Sequence, residues 1–404
     1  MKHIIILGDG MADEPVASLG NKTLLQAANI PTINRLAKEG RCGMLNTVPD
    51  GFHPGSEIAN LSVMGYEVAK VFEGRGSLEA ASMGVDIREG EMAMRVNLIC
   101  IADEKIKNHS AGHISNEEAH ELINYLQQEL GDEMLTLHPG VSYRHLLVLK
   151  GGNKALKCTP PHDVPGTPYK EVMIEALAPE AQTTADYLNT MILRSQELLA
   201  SHPVNLKRVA EGKDPANSLW PWSPGYRPAM KTLQETYGIE SGSVISAVDL
   251  IMGIGVYAGL TPRWVEGATG LYNTNYEGKV KAALDALRTE DFVYLHLEAS
   301  DEAGHEGNVE LKLRTIKYLE ERVVKPIVDE VSTWDEPVAI AILPDHPTPC
   351  HLRTHTRAAI PFLIYKPGAT PDAVEAYDEM SCTKGSYGTL QDIEFLQAFL
   401  NPKQ

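Results

Sequence analysis

The chain has 404 residues, 43% of them apolar, and its 36 Lys and Arg stand against 54 Asp and Glu, a formal net charge of −18. A length of this order holds two or three domains, each able to bury a core, and the negative balance excludes the positive field that a nucleic-acid backbone or an anionic membrane requires. A small anionic ligand stays open, because it answers to the local charge of its pocket, which a bound divalent cation reverses.

In chain order, the apolar run at residues 4–7 is too short for the core of a secretory signal and breaks into Gly8-Asp9-Gly10, so it is expected to be a first strand. Next, Pro54 and Gly55 break the chain and Ser56 opens an apolar-periodic helix, where backbone N–H groups favour an alkoxide or a phosphate. Ser115-Asn116-Glu117-Glu118 reads as a capping box for a helix with Ala119, Leu122, Ile123, Leu126 and Leu130 on one side, closed by Gly131. A strand is expected at 146–149. Residues 210–230, rich in Pro and Gly around Trp220 and Trp222, read as a hinge or linker, and 84–90 is a weaker interruption. Gly253, Gly255 and Gly259 imitate a dinucleotide fingerprint with the wrong last spacing, and are expected to be close-packing or turn positions.

Strands follow at 292–297, 338–343 and 362–365, with a helix over 309–331 expected to bend near Pro326. This strand and helix alternation predicts an α/β fold with a mainly parallel sheet. The five cysteines form no CxxC and no even framework, which fits a reducing cytoplasm, and no stretch has the roughly 20 apolar residues needed to span a bilayer.

Residues that suit metals cluster where a parallel sheet places functional groups, just past strand ends. Asp9 follows the first strand, Asp301 and His305 follow 292–297, Asp345 and His346 follow 338–343, and His355 comes shortly after. Asp and His four apart share one side of a helical turn, and mixed carboxylate and imidazole ligands suit Mn²⁺ or Zn²⁺ better than Ca²⁺. Each piece alone has a plainer reading: a turn or cap for Asp9, a solvated helix face for Asp301 and His305, a turn for Asp345-His346, an N-cap for Ser56. Three such clusters in one chain favour a site for two ions, which clamp the oxygens of a phosphoryl transfer. No P-loop, GxSxG elbow or HExxH helix occurs.

Taken in order, Gly8-Asp9-Gly10, Pro54-Gly55-Ser56-Glu57, Gly74-Arg75-Gly76-Ser77-Leu78-Glu79-Ala80, Asp301-Glu302-Ala303-Gly304-His305, Pro344-Asp345-His346 and His355-Thr356 resemble the archaeal-type, cofactor-independent phosphoglycerate mutases of the alkaline phosphatase superfamily. The resemblance spans nearly the whole chain. It implies an alkaline-phosphatase-like core at 1–86 and 230–404, interrupted by a smaller inserted α/β domain at 87–229 that binds substrate. It implies Ser56 as the phosphorylated nucleophile beside one metal held by Asp9, Asp345 and His346, with a second held by Asp301, His305 and His355. The ions would be Mn²⁺ or Zn²⁺, with Mg²⁺ possible. His113, Arg144, Asp163 and Arg227 are the implied substrate contacts. The implied reaction interconverts 3-phosphoglycerate and 2-phosphoglycerate in a cytoplasmic monomer or small homo-oligomer whose partner is a small phosphorylated substrate. Ser77-Leu78 departs from the usual Pro-Phe, and the segment 220–225 with the tail 384–388 resembles a bacterial branch of proposed homoserine kinases. An ATP-dependent kinase, or an inert metal-binding interaction protein, are therefore the alternatives.

Overall fold

The first apolar run forms the strand Lys2–Gly8, and Ile4, Ile5, Ile6 and Leu7 are wholly buried. Continuous apolar strands of this kind are covered on both faces, and each such side chain contributes about 2 kcal/mol relative to exposure. The computed structural model describes residues 1–401 and divides into two units, one joining Met1–Phe72 to the chain from Ala229 onward, the other comprising Glu73–Pro228.

The first unit holds an eight-stranded sheet in the order Thr261–Pro262, Gly242–Ile245, Phe292–Leu297, Lys2–Gly8, Val338–Leu343, Ile360–Tyr365, Arg41–Asn46 and Thr389–Gln391. Only Ile360–Tyr365 runs against its neighbours. The central strands Phe292–Leu297, Lys2–Gly8 and Val338–Leu343 are parallel, so Asp9, the helix bearing Asp301, and Asp345 all emerge at one edge. Gly255 packs against the sheet, since a Cβ there would lie 2.4 Å from Val244, while Gly259 has φ +84° in a turn. Helical structure runs through 309–331, interrupted by a six-residue π turn, Leu319–Val324, that precedes Pro326. That turn aims the buried Glu320 carboxylate at the N–H groups of Thr32 (2.8 Å) and Ile33 (3.0 Å), capping the helix Pro31–Glu39, which has no side-chain cap from its own N-cap residue.

The second unit is built on an antiparallel sheet: Lys105–Asn108, Glu91–Ala102, Arg144–Lys150 and Leu135–Val141 in that order, with Ser218–Tyr226 also pairing Glu91–Ala102. Two expectations change here. Ser218–Tyr226 lies within the stretch read as a linker, yet it is a strand; it pairs on one side only, where Pro221 and Pro224 need donate to no further neighbour. The first crossing between units falls after Phe72, before the expected 86/87, because the helix Arg75–Ser82 packs Ala80 against Ala93, Leu146 and Val148 of this sheet. The helix Asn116–Leu130 starts as expected, with the Glu118 N–H donating to Ser115 Oγ at 3.3 Å. The capping box is only half formed, since the Glu118 carboxylate pairs with Arg208. Among the described residues no helix is long and apolar enough to cross a membrane.

Candidate active site

At the common strand edge of the first unit, Asp9, Asp301, Asp345 and His346 are all buried. Gly10 permits the close approach: it has φ +62°, and a Cβ there would lie 2.7 Å from Asp301 Oδ1. Asp301 and His305 sit one turn apart on the helix Ala299–Glu306, with His305 Nε2 3.2 Å from Asp301 Oδ2. His355 Nε2 is 3.2 Å from Asp301 Oδ1 and 2.9 Å from His305 Nε2. His346 Nε2 lies 3.4 Å from Asp345 Oδ2 and 3.6 Å from Asp9 Oδ1, and its ring stacks on His355 with centroids 3.8 Å apart. Ser56 is the first residue of the helix Ser56–Val63, whose N-cap is Gly55. Its hydroxyl is thus not spent on capping, and Oγ lies 3.1 Å from His346 Nε2.

The hydrogen bonds behind these rings fix which nitrogen faces the site. His305 Nδ1 is 3.0 Å from the Arg353 carbonyl and His355 Nδ1 is 3.1 Å from the Pro54 carbonyl. A carbonyl only accepts, so each Nδ1 carries the proton and each Nε2 points inward. At His346, Thr348 Oγ1 donates to Asp301 Oδ1 (2.5 Å) and lies 3.3 Å from Nδ1. Having given its one proton to the carboxylate, that hydroxyl accepts from Nδ1–H, which leaves the Nε2 lone pair toward Asp9, Asp345 and Ser56.

The electrostatics fit bound cations. Burial, then the charges of Asp345 and Asp301, push Asp9 well above the usual carboxylate range, and burial lowers His346, keeping it a neutral donor. Burial also works against Asp301, yet hydrogen bonds from His305 and His355 hold it well below the usual range. The bond to Asp301 in turn raises His305 to about 9. Asp9 Oδ1 is buried without a hydrogen-bond partner, and Asp9, Asp345 and His346 converge, as do Asp301, His346 and His355. An orphaned carboxylate oxygen among mixed carboxylate and imidazole donors is what a divalent cation satisfies.

Three supporting residues escaped the sequence reading. His296, fully buried in Phe292–Leu297 and lowered to about 3 by burial, is neutral; its Nε2 donates to Asp9 Oδ2 (2.8 Å) and its Nδ1 accepts from Ser246 Oγ (3.0 Å). Asn60, one turn past Ser56, donates to the Ser56 carbonyl (2.8 Å) and to Asp345 Oδ2 (2.9 Å), and accepts from the Tyr294 hydroxyl (2.6 Å). Thr348 is the third. The available signal was a polar side chain inside an apolar run, which must find a partner when buried.

The four implied substrate contacts lie in the Glu73–Pro228 unit. His113 is exposed at φ +54°, following Ala111 (+47°) and Gly112 (+65°), three consecutive left-handed residues. Its ring meets Tyr143 edge-on at 6.3 Å, and the exposed Arg144 guanidinium lies 5.9 Å from the same ring. Asp163 is exposed at the end of the short turn Pro161–Asp163. Arg227 is tied to Asp86 and to the Ile87 carbonyl.

Two results are expected from this arrangement. Thr348→Val keeps the volume but removes the acceptor for His346 Nδ1–H, so cation affinity should fall about 10- to 100-fold by isothermal titration calorimetry; unchanged affinity would place the tautomer control elsewhere. The bond to Asp301 that raises His305 to about 9 keeps that ring protonated at neutral pH, so a cation taken up by its Nε2 would have to displace a proton. Affinity should therefore rise with pH toward that value and fall about tenfold per unit below it. Calorimetry in buffers of differing ionisation enthalpy should show about one proton released at neutral pH, and zero release would contradict a protonated His305 as the group the cation displaces.

A family model described as 2,3-bisphosphoglycerate-independent phosphoglycerate mutase matches residues 37–205. The mutase of that name from Methanosarcina acetivorans is 49% identical over 393 residues, 97% of each chain. The probable one from Geobacter sulfurreducens is 47% identical, covering 94% of this chain and 95% of that protein. Among solved structures, a Pyrococcus horikoshii protein superposes with a TM-score of 0.82 at 28% identity, covering 99% of this chain and 96% of the other. The cofactor-independent phosphoglycerate mutase of Thermoplasma acidophilum does so with a TM-score of 0.71 at 26% identity over 99% of both chains. With relatives matching it end to end at these identities, the chain belongs to the family of 2,3-bisphosphoglycerate-independent phosphoglycerate mutases.

Proposed function

We propose that the chain interconverts 3-phosphoglycerate and 2-phosphoglycerate by transferring the phosphoryl group to Ser56 and back to the other hydroxyl of glycerate. The observation that carries this reading is the Ser56 hydroxyl, not spent on capping its helix and 3.1 Å from His346 Nε2, beside two convergent sets of carboxylate and imidazole groups. Two divalent cations, Mn²⁺ or Zn²⁺ with Mg²⁺ as a third option, held by Asp9, Ser56, Asp345 and His346 and by Asp301, His305 and His355, would supply positive charge that lowers the serine pKa and neutralises the phosphoryl oxygens.

The chain's own residues do the positioning. Asn60 fixes the Ser56 backbone and the Asp345 carboxylate together. His296 holds one oxygen of Asp9 and leaves the other free. The N-terminal end of Ser56–Val63 favours negative charge at the serine oxygen through its dipole. His113, Arg144 and Asp163 are proposed substrate contacts, while Arg227 would have to exchange Asp86 for a substrate group to become one. Water must be kept from the phosphoserine, whose hydrolysis would turn a mutase into a phosphatase.

The segment that motivated the kinase alternative has a structural account as the strand Ser218–Tyr226. The five cysteines are all free, which supports a cytoplasmic location. A coupled enolase assay with Mn²⁺ and no bisphosphoglycerate tests the reading, run beside ATP with homoserine. Mutase turnover with no phosphohomoserine is expected; phosphohomoserine without mutase turnover would replace the reading with the kinase, and activity in neither would sink both.

A further inference from the structure

Lys312 and Asp13 form an ion pair at 2.8 Å with both side chains wholly buried. Apolar residues of similar volume often replace such a pair without loss of stability, so its presence asks for a reason beyond the core. Lys312 Nζ donates to Asp13 Oδ2 (2.8 Å), to the Thr348 carbonyl (2.8 Å) and to the Ala12 carbonyl (3.1 Å), which uses all three of its protons. Asp13 also accepts from the N–H groups of Cys350 (3.1 Å, at Oδ2) and Glu14 (2.8 Å, at Oδ1).

These contacts join the three segments that carry the candidate cation ligands. Lys312 lies in the helix Val309–Tyr318, which follows the helix of Asp301 and His305. Ala12 and Asp13 come just after Asp9, and Thr348 and Cys350 just after His346. The two loops run side by side, with single bridges from Met11 and Ala12 to Pro347, and the Ala12 carbonyl accepts from the Thr348 N–H as well (3.3 Å). The Thr348 hydroxyl is the one that donates to Asp301 and faces His346 Nδ1. Asp9, Asp301 and Asp345 are buried together, and their mutual repulsion would push the loops apart before a cation binds. An ammonium tied to the loop carbonyls resists that without occupying the ligand oxygens, and Asp9 Oδ1 stays free.

We propose that Lys312 is a positioning residue for the cation centre, clamping the Ala12 and Thr348 carbonyls so that the loops bearing Asp9 and His346 are correctly spaced before a cation arrives. The proposal rests on the reading that these residues bind divalent cations, and not on the identity of the substrate. Lys312→Met alone leaves Asp13 buried and unpaired and should melt well below the wild type. The deciding variant is therefore Lys312→Met with Asp13→Asn, which removes both charges and keeps an oxygen for the Cys350 and Glu14 N–H groups. Its cation-free melting temperature should stay within about 5 °C of the wild type, while Mn²⁺ affinity by calorimetry should fall about tenfold or more. Asp13→Asn alone, which leaves Lys312 both carbonyls and an oxygen acceptor, should keep Mn²⁺ affinity within about threefold of the wild type. A double variant that folds and binds Mn²⁺ as tightly as the wild type overturns the proposal. So does one that melts far below the wild type with and without Mn²⁺, because the pair would then serve the core alone, and so does an equal loss of affinity in Asp13→Asn. A wild type that takes up no Mn²⁺ would overturn it together with the cation reading. Weakened Mn²⁺ binding by the double variant, in a protein whose wild type shows no mutase turnover, would support it and count against the mutase reading alone.

Discussion

Ser56→Ala is expected to lower mutase turnover by about four orders of magnitude or more, the scale on which enzymes lose their nucleophile. The protein should otherwise be intact. Ser56 Oγ does not cap its helix, whose N-cap is Gly55, and alanine is the better helix former, so stability should stay within about 0.5 kcal/mol. Cations should still bind, because Asp9, Asp345 and His346 remain on one side and Asp301, His305 and His355 on the other. Coupled assay, thermal melting and metal analysis of the same preparation separate these effects. Loss of both metals with the hydroxyl would mean that Ser56 holds the site together, against this reading.

Removing the cations should have the second large effect, on activity and stability at once. Asp9, Asp301 and Asp345 bring three buried carboxylates to one strand edge, and burial, then repulsion from the other two, pushes Asp9 upward. A cation present at a thousand times its dissociation constant stabilises by about 4 kcal/mol, which for a unit of this size is roughly 10 °C in melting temperature. Chelation should therefore abolish turnover and lower the melting temperature by about that amount, with both restored by Mn²⁺. Asp301→Asn, which also loses the charge that holds His305 protonated, should shrink the cation-dependent shift. An identical melting temperature with and without cation would mean that the carboxylates are satisfied by protein alone.

What the sequence made legible was what a parallel sheet forces. Apolar runs at Lys2–Gly8, Phe292–Leu297 and Val338–Leu343 had to be buried strands, and the polar residues just past them had to meet at one edge. Asp301 and His305 were readable as partners because four residues make one helical turn. What escaped depends on tertiary partners that local pattern does not carry. Ser56 looked like an N-cap until Gly55 was seen to occupy that position, and Glu118 looked like half of a capping box until Arg208 claimed it. The prolines of Ser218–Tyr226 argued against a strand that an edge position allows. His296, Asn60 and Thr348 sit in or beside apolar segments, where only the fold reveals that each aligns a carboxylate or an imidazole of the site.

The central claim is that Ser56 carries the phosphoryl group in transit. Metal-loaded protein mixed with 3-phosphoglycerate, quenched in acid within its first turnovers and digested for mass spectrometry, reads that directly. The expected result is a phosphate on Ser56 that disappears in Ser56→Ala; full mutase turnover with phosphate on another residue, or on none, would contradict it.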